Sequence, residues 1–244
     1  MNKLAIAGHT DRGGREHNED AVDWLLDTDR RWALALVADG MGGYSGGEVA
    51  STLALEVFLY HLQPWLPQAK DANTETVAEH LLASARAVQT RLQEEQRKQP
   101  ELARMGTTLV CGFAWQDQLA LLHVGDSRCY RWRAGELSRL TRDHTYLEDV
   151  TLGEEAGVSS SKHVLTRALG AKQAFDFSLA VHKTQARDRY VFCSDGVSNV
   201  LTAQDWKRCL DAGGENGAVA RLLIDTAKRK GADDNVTALV LAVG

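Results

Sequence analysis

Several apolar runs in this chain each finish at an acidic residue, and that repeated junction limits the folds open to it. Trp32-Ala33-Leu34-Ala35-Leu36-Val37-Ala38 is continuously apolar and stops at Asp39-Gly40. A strand without polar alternation has to be covered on both faces. Tyr190-Val191-Phe192-Cys193 stops in the same way at Ser194-Asp195-Gly196, and Leu119 to Val124 stops at Gly125-Asp126-Ser127. Another strand runs from Arg128 to Trp132, and Arg133-Ala134-Gly135-Glu136 reads as the next hairpin turn. The last strand, Val236 to Val243, follows Asp233-Asp234-Asn235.

Helices are equally legible. Gly47 to Leu62 carries Val49, Leu53, Val57 and Tyr60 at spacings of four, four and three. Thr74 to Gln99 carries Val77, Leu81, Ala85, Val88 and Leu92 on one stripe and stops at Pro100. Two further helices follow Thr202 and Gly217, the second ending near Gly231. The order is strands, two helices, many strands, two helices and a strand, without the regular alternation of a doubly wound fold. Strands buried on both faces predict two sheets packed together with helices outside, in one domain over residues 1–244. The polar segment Thr141 to Gly170, which contains Ser159-Ser160-Ser161, is expected to form a flap beside the active site.

Composition narrows the function. A chain of 244 residues, 44% of them hydrophobic, supports a core without disulfides or a structural metal, so any metal serves chemistry. The net charge is −5 and no basic run exceeds Lys228-Arg229-Lys230, a helix end, so nucleic acid is not an expected partner. Cys111, Cys129, Cys193 and Cys209 lack C-x-x-C spacing and read as buried thiols. Met1 to Ala7 is too poor in apolar residues for a signal peptide, and no apolar stretch approaches the roughly 20 residues that span a bilayer. A soluble cytoplasmic protein without a membrane association is the expectation.

Each aspartate at a strand end has a plain reading as a turn residue, since Asp-Gly favours turns and Asx side chains bond their own backbone. The combination says more. If the strand ends converge, Asp39, Asp126, Asp195, Asp234 and the Asn18-Glu19-Asp20 cluster share a small volume. Like charges so close require cations, and all-oxygen donors select Mg²⁺ or Mn²⁺. A metal pair of that kind can activate water and clamp a phosphoryl oxygen.

Arg15-Glu16-His17-Asn18-Glu19-Asp20, Val37-Ala38-Asp39-Gly40-Met41-Gly42-Gly43, Gly106-Thr107-Thr108, Val124-Gly125-Asp126-Ser127-Arg128, Ser194-Asp195-Gly196-Val197 and Asp234-Asn235 occur in that order. The ordered set resembles the PPM family of metal-dependent protein Ser/Thr phosphatases (type 2C) in its compact bacterial form, as does Leu165 to Gly170. The resemblance runs from about residue 5 to residue 243 and supplies the convergence that spacing alone leaves open. It implies an α+β fold, a four-layer α-β-β-α sandwich of two antiparallel sheets packed face to face with helices outside.

The resemblance also implies a site. Asp39 would bridge two Mn²⁺ or Mg²⁺ ions, with the Gly40 carbonyl on one ion and Asp195 and Asp234 on the other. Glu19 and Asp20 would act mainly through ion-bound waters, and Asp126 would help hold a third, weaker ion near the flap. Arg15 would pair with the substrate phosphate, which a planar guanidinium can bond through two oxygens. Asn235 would orient its neighbours. A water bridging the two ions would attack phosphorus directly, without a phosphoenzyme.

Animal members carry a His after the Asp-Gly, proposed to protonate the leaving group; here that residue is Met41. A metal-bound water takes the role first, with His144 and His163 as side-chain candidates. The expected partners are phosphorylated proteins and a cognate Ser/Thr kinase, and the expected state is monomeric. The glycines from Gly40 to Gly47 fit neither a P-loop nor G-x-G-x-x-G, so they read as turn residues. The alternative is a pseudophosphatase that binds phosphoproteins without turnover; such members lose metal carboxylates, whereas Asp39, Asp195 and Asp234 are present.

Overall fold

The computed structural model describes residues 3–42, 46–146, 148 and 164–244. The chain forms strands β1 (Leu4–Asp11), β2 (Asp20–Leu26) and β3 (Trp32–Met41), then helices α1 (Gly46–Leu62) and α2 (Thr74–Lys98). Strands β4 (Gly106–Thr107), β5 (Leu109–Trp115), β6 (Gln118–Val124), β7 (Arg128–Arg133) and β8 (Glu136–Arg139) follow. Further along the chain come β9 (Ser178–Lys183), β10 (Arg189–Cys193), α3 (Asp195–Ser198), α4 (Ala203–Asp211), α5 (Asn216–Arg229) and β11 (Val236–Val243).

The strands build two sheets in the orders β1-β11-β10-β7-β8 and β2-β3-β5-β6-β9, with β4 added beside β3. The pairings in both are antiparallel. Three apolar layers explain the unbroken hydrophobicity of the strands. From β3, Leu34, Leu36 and Ala38 pack with α1 and α2, while Ala33, Ala35 and Val37 face the other sheet. From β11, Val236, Ala238 and Val240 pack with α4 and α5, while Leu239 and Leu241 enter the layer between the sheets. Side chains alternate faces along a strand, so a strand in a central layer has apolar neighbours at every position. The α-β-β-α sandwich is as expected.

Local signals account for the helix ends. Asn73 caps α2, its side chain accepting from the Thr76 N–H, and Thr202 and Asp205 form a reciprocal capping box on α4. The hairpin turn at Ala134-Gly135 places both residues at positive φ, 50° and 85°, and joins β7 to β8. The α2 stripe Val77, Leu81, Ala85, Val88 and Leu92 is buried as read.

Two expectations need correction. The stripe proposed for α1 is displaced by one residue: Ala50, Ala54, Leu55 and Phe58 are buried, Val49, Leu53 and Val57 flank that face, and Tyr60 is 76% exposed. Small alanines let the helix sit close to the sheet, and size-weighted periodicity overlooks them. The strand read as stopping at Asp39 instead continues to Met41, because Gly40 and Met41 pair with Thr107 and Gly106 of β4.

Only the stems of the expected flap fall among the described residues. Thr145 and Leu165 bridge, Tyr146 N–H donates to Val164 O, and Thr166 N–H donates to His144 O. Residues 149–163, and with them His163 and the serine triplet, lie outside the described residues. Among the described residues no helix is long and apolar enough to cross a membrane.

Candidate active site

Acidic residues from the ends of separate strands in both sheets line one cleft. Asp39 of β3 stands directly across from Asp20 of β2. Asp195 opens α3 immediately after β10, Asp234 precedes β11, and Asp126 sits in the turn between β6 and β7. Asp39, Gly40, Asp126, Asp195, Asp234, Glu19 and Arg15 line a cleft of about 610 Å³, joined by Met41, Thr108 and Asn235. Of the candidate metal and phosphate ligands, Asp20 is the one not in the lining; it is buried, 8% exposed.

Gly40 is required by a close approach. A Cβ there would come within 2.1 Å of the Gly47 carbonyl oxygen and 2.6 Å of the Glu19 carbonyl oxygen. Any side chain would push α1 and the β1–β2 loop away from β3. That loop is tied down by Asn235, whose Oδ1 accepts from Glu19 N–H and whose Nδ2 donates to the Arg12 and His17 carbonyls. The expected orienting role of Asn235 thus has a physical form: it holds the segment that carries Arg15 and Glu19.

Electrostatics mark the cluster as incomplete without cations. Burial pushes Asp39 well above the usual carboxylate range, and Asp20, Asp195, Asp126 and Asp234 push it further. Burial pushes Asp20 and Asp126 up to about 7 each. Asp195 is raised by burial and then by Asp234, against a hydrogen bond with Asp39, and Glu19 is raised chiefly by burial. Carboxylates in this state favour protons or metal ions as partners.

Asp20 also has an unused oxygen. Its Oδ2 accepts from Ser194 Oγ and Thr237 Oγ1, both at 2.7 Å, while its buried Oδ1 has no hydrogen-bond partner. Among the described residues no three His, Cys, Asp or Glu side chains are already gathered as a finished metal cluster. The donors are all oxygens, and the buried cysteines do not line the cleft, so the set suits a hard divalent ion such as Mg²⁺ or Mn²⁺.

Arg15 donates from Nη2 to Asp234 Oδ2 at 2.9 Å and from Nε to the Asp233 carbonyl. It is therefore at the cleft, where a phosphate-binding residue has to be. His144 does not suit the acid role considered for it. It is buried outside the cleft lining, its Nδ1 accepts from Gly125 N–H, and its Nε2 meets Ser178 Oγ at 2.9 Å. With Nδ1 accepting, the ring carries its proton on Nε2, toward Ser178 and away from the cleft lining.

The hydroxyls that brace the carboxylates went unassigned in the sequence reading. Ser194, Thr237 and Thr10 form a chain around Asp20, and Thr107 and Thr108 bond the Asp39 backbone. A lone Thr237 within the apolar strand Val236 to Val243 was the available signal.

The comparisons with known proteins agree with this geometry. Residues 7–230 match the family profile described as Protein phosphatase 2C. The chain is 34% identical to the serine/threonine protein phosphatase PstP of Mycobacterium tuberculosis, over 98% of this chain and 45% of that protein. It thus spans about half the length of that curated relative. It is 30% identical to the serine/threonine phosphatase stp of Listeria monocytogenes, over 95% of this chain and 93% of that one. The solved catalytic domain of PstP in complex with two manganese ions superposes with a TM-score of 0.83 at 34% identity, covering 100% of this chain and 99% of that one. The sandwich, the converging carboxylates and the profile match together make this chain a member of the protein phosphatase 2C (PPM) family.

Proposed function

We propose that this chain is a protein serine/threonine phosphatase that hydrolyses phosphoserine and phosphothreonine with the help of two Mn²⁺ or Mg²⁺ ions. The observation that carries the reading is the buried carboxylate cluster around Asp39, whose members repel one another and leave Asp20 Oδ1 without a partner. A relative of matching fold is solved with two manganese ions. Asp39, the Gly40 carbonyl, Asp195 and Asp234 would hold the ions, Glu19 and Asp20 would act through intervening water, and Asp126 would serve a third ion beside the flap stem. When bound, the ions acidify water to a nucleophile and offset charge on the phosphoryl oxygens.

The chain's own residues do the rest. Arg15 leaves Asp234 and presents its guanidinium to the phosphate, orienting it and matching its charge. Asn235 keeps the loop that carries Arg15 against the cleft floor. Met41 lines the cleft where animal members carry a His. A thioether has no proton to give, so the leaving Ser or Thr oxygen takes its proton from water.

The wider reading is a bacterial signalling enzyme in the cytoplasm, a monomer of one domain over 1–244, that opposes a Ser/Thr kinase. Names of the relatives as Ser/Thr phosphatases support the substrate class, and the three apolar layers support one folding unit. The pseudophosphatase alternative is disfavoured by the presence of all the candidate carboxylates. Phosphate release from a phosphothreonine peptide is the test. Release that needs Mn²⁺ and stops with chelator is expected; folded protein that releases none in Mn²⁺ would overturn the proposal.

A further inference from the structure

Asp39 is held by its backbone as well as by its place in β3. Thr108, 1% exposed, accepts the Asp39 N–H through Oγ1 at 3.0 Å, and its own N–H donates to the Asp39 carbonyl at 2.9 Å. Thr107 Oγ1 donates to that same carbonyl. The Thr108 hydroxyl also meets Ser127 Oγ at 2.7 Å, and Ser127 directly follows Asp126.

The methyl of Thr108 fills a second role. Gly125 has φ +97°, and a Cβ there would lie 2.5 Å from Thr108 Cγ2. The turn that presents Asp126 is therefore seated on Thr108 from one side and bonded to it through Ser127 from the other. One side chain touches the backbone of Asp39 and both neighbours of Asp126 in the chain.

We propose that Thr108 is a positioning residue for the metal site, its hydroxyl fixing Asp39 relative to the turn that carries Asp126. This rests on the two-ion reading above. Carboxylates that repel one another drift apart unless their backbones are fixed, and the hydroxyl pair Thr108–Ser127 spans the two elements. Groups behind metal ligands set affinity, and their loss typically weakens binding about 10- to 100-fold. Thr108→Val keeps the branched shape that packs on Gly125 and deletes only the hydroxyl, leaving Asp39 N–H without its acceptor. Thr108→Ser keeps the hydroxyl and deletes the methyl.

The experiment is Mn²⁺ binding to the purified full chain by calorimetry, with thermal unfolding of the chelated protein alongside. Thr108→Val is expected to bind Mn²⁺ at least about tenfold more weakly than wild type, and Thr108→Ser within about threefold of it. Ser127→Ala, which cuts the hydroxyl pair from its other end, is expected to weaken binding in the same direction. If Thr108→Val fails to fold, Ser127→Ala decides by itself. Wild-type affinity in the folded hydroxyl-deleting variants, or a loss in Thr108→Ser as large as in Thr108→Val, would overturn the inference while leaving the two-ion reading intact. A wild-type protein that binds no Mn²⁺ would overturn both.

Discussion

Arg15 and Asp234 meet at the mouth of the cleft, Nη2 to Oδ2 at 2.9 Å, so the candidate phosphate ligand and a candidate metal ligand neutralise each other. Were Asp234 to turn to an ion, Arg15 would lose this partner and be free for phosphate, so cation binding would be coupled to the readiness of the phosphate site. Both side chains are substantially exposed, 57% and 38%, so the pair adds under about 1 kcal/mol to stability. Arg15→Ala is expected to raise KM for a phosphopeptide about tenfold, the loss of roughly one charged contact, with little change in melting temperature. Steady-state kinetics with a phosphothreonine peptide make the check, and an unchanged KM would remove Arg15 from the phosphate site.

Asp39→Asn separates stability from activity. The substitution removes a carboxylate that burial, and then four other aspartates, push against ionising, so the chelated protein should melt higher than wild type, by roughly 2–4 °C. Turnover should fall about a thousandfold or more, because both proposed ion sites would lose the carboxylate they share. Melting curves in chelator and activity in Mn²⁺ test the two halves. A variant less stable than wild type in chelator would show that Asp39 is not under electrostatic strain.

Asp126 lines the cleft from the β6–β7 turn. Asp126→Ala is expected to lower turnover about tenfold or more while two Mn²⁺ ions per chain remain bound. Binding stoichiometry by calorimetry is the measurement, and loss of both ions would assign Asp126 to the central pair instead.

Away from the cleft, Asp188 accepts two bonds from Arg133 and one each from Tyr190 Oη and the Gln185 N–H, with none of its side chain exposed. Burial alone would raise its pKa, but these donors hold it below the usual value of 3.8. A depressed native pKa means stabilisation that is full above the unfolded value and fades as pH falls through the native one. Asp188→Asn should therefore cost about 2–3 kcal/mol at neutral pH, and the gap to wild type should narrow only below pH 3.8. Urea unfolding from pH 7 to pH 2 measures it; a gap that closes already at pH 5 would contradict the assignment.

The sandwich was legible because β3, β10 and β11 read as apolar on both faces, which leaves few architectures besides stacked sheets under helices. The carboxylates were legible as strand-end residues, but their meeting was legible only through the family resemblance, since strand order is set by long-range pairing that local pattern does not encode. Asp39 shows the limit: as Asp-Gly it resembled a turn, yet the strand runs on because β4 offers two more pairs. The bracing hydroxyls of Ser194, Thr237 and Thr108 were hidden for a related reason. Their value lies in partners 174, 217 and 69 positions away along the chain.

The carboxylates around Asp39 are proposed to hold two divalent ions. Crystals of the full chain grown with Mn²⁺, with diffraction recorded on both sides of the manganese absorption edge, test it most directly. Two anomalous peaks are predicted in the cleft, both in contact with the Asp39 carboxylate and one with Asp195 and Asp234. A cleft without manganese, or a single ion that Asp39 does not touch, would contradict the account.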